Sequence, residues 1–236
     1  MPFRNSVTIV ASPRSRVGKT LLARLLAEFH RQEGRAVEAF DLNAGGGTLK
    51  QFLPELTAVS DIADVKGQIA LFDRLVAEDG ASKIVDLGPA SFEAFFALAH
   101  QIGFVEEALR RAIAPAILFV ITPDATSVEA FRGLRRRFPE ALLAPVHNEI
   151  FGPAQHRDKY DLRGAALAQL PALAPALRKY IETPPFSFGR LAESANIPSE
   201  AQAELERWLR RVHREFRELD LRILLADLKS AIGLGT

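Results

Sequence analysis

Apolar residues along this chain fall into two alternating patterns. Continuous runs of five or six residues read as strands buried on both faces, and longer stretches with apolar positions three and four apart read as helices. Val7–Ala11 is the first strand. Gly18–Glu33 is the first helix, with Leu21, Leu22, Leu25, Leu26 and Phe29 at helical spacing and Gly34 as its C-cap. The strand Val37–Leu42 follows, then a glycine-rich loop over Asn43–Thr48. The pattern next predicts a helix over Asp61–Ala77 capped by Asp61, a strand over Lys83–Leu87, and helices over Phe92–Ala99 and Val105–Ile113. Ala116–Ile121 is the clearest buried strand. Ser127–Phe138 reads as a helix stopped by Pro139, and Leu142–Val146 as a strand running out near Asn148. A polar loop over Gly152–Arg163 precedes a last strand, Ala165–Leu170, cut by Pro171.

Strands alternating with helices imply an α/β fold, a mostly parallel central sheet with helices on both faces. In such a sheet the loops at the carboxyl ends of the strands share one edge. Ser12, Asp41, Asp86 and Asn148 all stand at such ends. Pro184-Pro185 then breaks the chain into a domain of residues 1–183 and a helical extension of residues 184–236. Within the extension Leu205, Leu209, Val212, Phe216, Leu219 and Ile223 alternate four and three apart, the seam of one long C-terminal helix. That seam is expected either to pack on the sheet or to pair with a second copy.

Composition narrows the function classes. With 236 residues, 48% of them apolar, the chain can bury a sizeable core. The net charge of +1 does not indicate a nucleic acid or membrane surface as partner. A local basic cluster, Arg132, Arg135, Arg136 and Arg137, reads as a solvated helix face. The absence of cysteine excludes disulfides, thiolate metal sites and cysteine nucleophiles. No apolar run approaches the roughly 20 residues of a membrane helix, and the N-terminus has no cleavable leader pattern, so a cytoplasmic protein is expected. The five histidines lack metal-ligand spacing, and His147 reads as a solvated loop residue.

The candidate chemistry lies between the first strand and the first helix. Pro13-Arg14-Ser15-Arg16-Val17-Gly18-Lys19-Thr20 occupies the span of a G-x-x-x-x-G-K-[ST] phosphate loop, with Pro13 in place of the first glycine. Backbone N–H groups of such a loop and of the helix start point at phosphates, and the helix dipole favours negative charge there. Lys19 is placed to bridge the outer phosphates, Gly18 to let the backbone approach them, and the Thr20 hydroxyl to ligate Mg²⁺. Asp86 ends an apolar strand and is a second candidate for the metal. Asp41 ends the neighbouring strand and is a third, with a turn role as its alternative.

At these residues the chain resembles the deviant-Walker P-loop ATPases of the ParA/MinD family. The family loop reads x-K-G-G-x-G-K-[ST]. Its signature lysine falls on Arg14 and its two middle glycines on Ser15 and Arg16. Its D-x-D segment falls on Asp41-Leu42-Asn43, its Walker B segment on Asp86-Leu87-Gly88-Pro89, and its base-contacting asparagine on Asn148. Its later strand-then-proline falls on Leu170-Pro171. The resemblance implies an ATP and Mg²⁺ site built from Arg14, Ser15, Arg16, Val17, Gly18, Lys19, Thr20, Asn148 and Pro171. The metal would lie at Thr20, Asp41 and Asp86, with Lys19, Arg14 and Asn43 as the catalytic set. It also implies an ATP-dependent homodimer that recruits a protein partner or cargo adaptor for intracellular positioning. Two departures bear on catalysis. The water-positioning aspartate of the family is Asn43 here, which cannot accept a proton, and Arg14 is not a point charge. Slow or partner-dependent hydrolysis is therefore expected, and an aspartate at position 43 is expected to speed it.

Other readings stay open at this point. A small-molecule ligase resembling dethiobiotin synthetase also has a loop ending V-G-K-T, and it would need a lysine near the second strand, where Lys50 is the candidate. A non-hydrolysing ATP-bound scaffold would keep the loop and dispense with turnover. The ATPase domain of a polysaccharide-export tyrosine kinase would carry a C-terminal tyrosine cluster, whereas the only tyrosines are Tyr160 and Tyr180.

Overall fold

In the computed structural model the structure describes residues 5–43, 48–153, 157–160, 162, 167–194 and 196–231. Seven parallel strands form one sheet: β1 (Ser6–Ala11), β2 (Val37–Leu42), β3 (Thr57–Val59), β4 (Ser82–Leu87), β5 (Ala114–Val120), β6 (Leu142–Asn148) and β7 (Ala168–Leu170). Their spatial order is β3-β2-β4-β1-β5-β6-β7. β1 is flanked by β4 and β5, so the chain leaves β1 in one direction and returns to its other side after β4. That reversal opens a crevice at the carboxyl end of β1, where open α/β sheets bind their ligands.

Each strand face has its own helices. Val10 of β1 joins a core formed with α1 (Lys19–Gln32), α2 (Thr48–Phe52), α7 (Pro175–Ile181) and α8 (Ser199–Ala231). Val7, Ile9 and Ala11 point the other way, into a phenylalanine-rich core under α3 (Val65–Leu75), α4 (Phe92–Gln101), α5 (Phe104–Arg110) and α6 (Ala125–Arg137). This split follows from the two-residue period of a strand covered on both sides. Phe95 stacks on Phe72 and meets Phe96 edge-on, filling the space between α3 and α4.

The long C-terminal helix lies in the first core. Leu205, Leu209, Val212, Phe216 and Leu219 are buried there, and Ile223 is partly buried against it. The four-three seam is thus covered by the chain's own α1 and sheet. Farther along, Leu221, Leu224 and Leu225 are exposed. The segment before α8 is tied to α1 by buried Glu28, which accepts hydrogen bonds from Ser187 Oγ and from the N–H groups of Phe188 (2.9 Å) and Gly189 (2.6 Å). Three donors compensate the buried carboxylate.

Several boundaries differ from the sequence reading. α3 starts at Val65, not near Asp61, because Asp64 caps it through Gly67 N–H (2.7 Å). Asp61 instead closes a turn onto Ala63 N–H at 2.9 Å. α2 and β3 went unread, and both are short: five and three residues. After β6 come the 3-10 turns Glu149–Phe151, ahead of the expected polar loop, and Arg157–Lys159, within it. Residues 44–47 of the glycine loop, 154–156, 161 and 163 of the polar loop, and 165–166 of the last expected strand lie outside the described residues. His147 is buried rather than solvated, its Nε2 2.8 Å from the carbonyl of Gly152. Arg132, Arg136 and Arg137 are exposed on α6, the expected solvated face.

Candidate functional site

β1 ends at Ala11, a loop runs from Ser12 to Gly18, and α1 opens at Lys19. The loop makes its turn with two residues in the left-handed region, Arg16 (φ 57°) and Gly18 (φ 94°). Arg16 stands where the resembling family has a glycine, and it keeps the backbone that glycine would supply, against the steric preference of an L-residue. Gly18 is needed for a further reason. A Cβ there would meet the Asn148 side-chain nitrogen at 2.6 Å.

Strand register brings the carboxylates to this loop. Val10 pairs with Asp86 across β1 and β4, and Asp41 pairs with Asp86 across β2 and β4. The Thr20 hydroxyl donates to Asp86 Oδ2 at 2.7 Å, and the Asn43 amide donates to the same oxygen at 2.9 Å. Asp86 Oδ1 is buried and has no hydrogen-bond partner among the described residues. The Asp86 pKa is raised to about 6, chiefly by burial and also by nearby Asp41, against the opposing pull of Thr20, Lys19 and Asn43. A buried carboxylate with one unpartnered oxygen, beside a threonine hydroxyl, is a hard-oxygen donor set that fits Mg²⁺.

Asp41 is fully buried and heavily bonded. Its Oδ1 accepts from the Asn43 backbone N–H (3.0 Å) and from the Asn43 amide (2.8 Å). Its Oδ2 accepts from the N–H groups of Leu49 (2.6 Å) and Lys50 (3.1 Å) in the first turn of α2. Asp41 therefore holds both ends of the 43–48 loop. Gly88 supports the same arrangement, because a Cβ there would lie 2.8 Å from the Leu42 carbonyl and 3.0 Å from Asn43 Cα.

Lys19 is buried, and its Nζ donates to the Arg14 carbonyl. Burial lowers its pKa, and Asp86 partly restores it. Arg14 turns away from the loop. Its guanidinium donates to Asp124 Oδ1, from Nε at 2.8 Å and from Nη2 at 2.5 Å, and to Thr126 Oγ1 at 3.1 Å. The pair holds the Asp124 carboxyl far below its usual range, with smaller help from Thr122 and Ser127. Ser15 is exposed and Val17 is buried.

Asn148 joins the loop to β6. Its Nδ2 donates to the Val17 carbonyl at 3.1 Å, and its Oδ1 accepts from Ile150 N–H at 3.2 Å. Both side-chain atoms are thus engaged in holding backbone. Asn148 and Pro171 share a cavity of about 380 Å³ with Arg16, Gly18 and Thr20. So the structure brings together the phosphate loop, the carboxylate cluster and the asparagine-proline wall, and it sets the Arg14 guanidinium apart. A second cavity of about 410 Å³ lies between α2 and the segment Pro185–Ser194, lined by Phe52, Arg31 and Arg190, with none of the motif residues in it.

Sequence reasoning missed two residues of the first cavity. Arg24 is buried one turn beyond Thr20. Its guanidinium lies 3.5 Å from the Phe52 ring centre and donates to the Ile181 carbonyl at 3.0 Å. Burial lowers its pKa to about 10, so it stays charged at neutral pH. The four-residue spacing from Thr20 was the available signal. Trp208 reaches the cavity from α8, and no local sequence signal announces that contact.

A parallel sheet with a phosphate loop after β1 and a metal-suited aspartate ending β4 defines a P-loop nucleoside triphosphatase fold. More narrowly, the fold is the ParA/MinD-like one. A chain of the Aquifex aeolicus MinC:MinD cell division protein complex superposes with a TM-score of 0.53 at 16% identity, over 86% of this chain and 95% of that one. Pyrococcus furiosus cell division ATPase MinD gives 0.50 at 13% identity, over 91% and 99%. The signal recognition particle 54 kDa protein of Aeropyrum pernix, solved with GDP, gives 0.51 at 16% identity, over 87% of this chain but 49% of that one. No family model matches the chain, and no curated protein matches it in sequence. Among the described residues, no helix is long and apolar enough to cross a membrane.

Proposed function

We propose that this chain is an ATP-binding switch of the ParA/MinD type, which dimerises around nucleotide to recruit a partner for intracellular positioning and turns ATP over slowly. The observation that carries the reading is the Thr20–Asp86 pair at 2.7 Å with the second Asp86 oxygen buried and unpartnered among the described residues, beside Lys19 at the start of α1. Such a pair is suited to a nucleotide-bound Mg²⁺, held by Thr20 and by Asp86 directly or through water. The metal would neutralise phosphate charge. The loop N–H groups and the α1 N-terminus would hold the phosphates, and Lys19 would exchange its Arg14 carbonyl bond for a phosphate. Asp41 would act through Asn43 and the first turn of α2, both of which it holds in place.

Slow turnover follows from Asn43. Its amide is spent on Asp41 and Asp86, and it offers no base to an attacking water. The non-hydrolysing scaffold is the limit of this behaviour. The ligase reading is weakened by Lys50, whose Nζ donates to the backbone carbonyls of Pro54 (2.6 Å) and Thr57 (2.8 Å). A lysine tied to two carbonyls at the start of β3 is not presented to an acidic substrate.

Light scattering after size exclusion tests the proposal on the apo protein and with ADP or a non-hydrolysable ATP analogue. A dimer only with the analogue is expected, and Lys19→Ala should abolish both the dimer and calorimetric ATP binding while remaining folded. Tight ATP binding by a folded Lys19→Ala protein would remove the phosphate-loop reading.

A further inference from the structure

Trp208 is the only tryptophan in the chain. It stands on α8, is buried, and lines the same cavity as Thr20, Asn148 and Pro171. Its indole N–H donates to the Pro171 carbonyl at 2.9 Å. Two further side chains of α8 reach the same stretch. Glu215 accepts from Gln169 N–H at 2.9 Å. Arg211 lies 3.5 Å from the Glu149 carboxylate, which itself accepts from Ala172 N–H at 3.0 Å. Residues 208, 211 and 215 are three and four apart, so they share one helix face. The stretch they hold is weakly fixed by its own sheet. Among the described residues β7 is three residues long and pairs only with β6, and it is followed at once by a proline that has no N–H to give.

We propose that Trp208 is a positioning residue of the nucleotide site, setting the Leu170–Pro171 wall against which the purine base packs. The inference rests on the nucleotide reading of this cavity and assigns α8 a part in it. The cavity has two ends of different chemistry. Arg16, Gly18 and Thr20 form the phosphate end, while Ile150, Leu170, Pro171 and Leu173 give apolar walls suited to a flat aromatic ring. The phosphate end is fixed by α1 and its loop. The base end is fixed from α8, through the bond from the indole to the Pro171 carbonyl. Base and phosphate recognition are therefore separable by substitution.

The experiment is calorimetric titration of the full chain with Mg-ATP and, separately, with Mg-tripolyphosphate, which has no base. Trp208→Phe keeps an aromatic ring against Phe188 and removes the donor. It should weaken ATP binding on the order of fivefold, the usual worth of one hydrogen bond, and leave tripolyphosphate binding unchanged. Glu215→Ala, at a partly exposed position, should show the same base-selective loss to a smaller degree should Trp208→Phe fold poorly. Arg210→Ala, on the exposed face of the same helix, should change neither. Equal losses for both ligands, or no loss for ATP in either variant, would overturn the assignment. A wild-type chain that binds neither ligand would overturn the nucleotide reading itself.

Discussion

The Asn43 amide donates to the Asp86 carboxylate at 2.9 Å, and it reaches Asp41 at 2.8 Å as well. One neutral side chain thus bridges two buried acids that strand register sets side by side. By the family resemblance, position 43 holds an asparagine where a catalytic aspartate would stand. An amide there donates to both acids and so offsets the repulsion between them.

Asn43→Asp should therefore have two opposed effects. It would replace two donated hydrogen bonds with a third carboxylate at the same distance. Without Mg²⁺ the variant should lose on the order of 3 kcal/mol of stability at neutral pH. At saturating Mg-ATP, where a cation offsets the charge, turnover should rise above that of the wild type. Thermal denaturation with and without Mg²⁺, together with phosphate release, checks both. An unchanged melting temperature without Mg²⁺ would show that the bridge contributes nothing.

Asp86 makes the metal-free protein pH-sensitive. Its carboxyl binds a proton more tightly folded than unfolded, with the pKa raised from 3.8 to about 6. The stability this contributes is fully present below about pH 4 and is lost as pH rises through about 6, a difference on the order of 3 kcal/mol. Asp86→Asn should remove this component of the pH dependence and raise apo stability at pH 7, while weakening the effect of Mg²⁺ on nucleotide affinity. Melting curves from pH 5 to pH 8, measured against other carboxylates that titrate oppositely, decide it through the wild-type minus variant difference. A flat difference would return Asp86 to a merely structural role.

Arg16 holds a left-handed turn without being glycine. Arg16→Gly should relieve backbone strain worth about 1 kcal/mol, less the entropy glycine loses on folding. Denaturant unfolding should show a small gain in stability or none, unlike the loss expected when an ordinary exposed residue becomes glycine. A loss of about 1 kcal/mol or more would mean that the Arg16 side chain itself supports the loop.

These tests turn on residues whose visibility in the sequence differed for physical reasons. β1, the phosphate loop and α1 were legible because a continuous apolar run, a motif and an amphipathic helix succeed one another within 28 residues, from Ser6 to Glu33. Asp86 and Asn148 were legible as polar residues ending apolar strands. α2 and β3 were not, since three strand residues with one buried side chain carry no period. The cap of α3 was misplaced by three residues because Asp61 and Asp64 are chemically equal, and only the turn geometry assigns one to the helix. The Trp208–Pro171 bond spans 37 residues and depends on where α8 crosses the sheet edge. The burial of His147 likewise came from the chain after β6 folding back to give it the Gly152 carbonyl.

Arg14 stands at the position of the family's signature lysine. In the resembling family the residue at this position reaches the partner subunit's nucleotide, so its side chain must be free to cross an interface. Here it is bound within its own chain, by Asp124 and Thr126, and is about half exposed at 45%. A dimer that uses Arg14 must first exchange the Asp124 bond for phosphate oxygens. Guanidinium pairs well with either, so the exchange is set by charge and geometry. Asp124 also caps α6 through Ser127 N–H at 3.1 Å, so its removal by alanine would confuse release of Arg14 with loss of the cap. Asp124→Asn separates the two, because asparagine caps well but carries no charge. The variant should keep the wild-type melting temperature to within a few degrees. It should dimerise at lower protein concentration with a non-hydrolysable ATP analogue, and remain monomeric without nucleotide. Light scattering over a concentration series reads the midpoint directly. A midpoint that does not move, in a folded variant that still binds the analogue, would show that Arg14 stays with α6 in the dimer and that another residue faces the partner's phosphates.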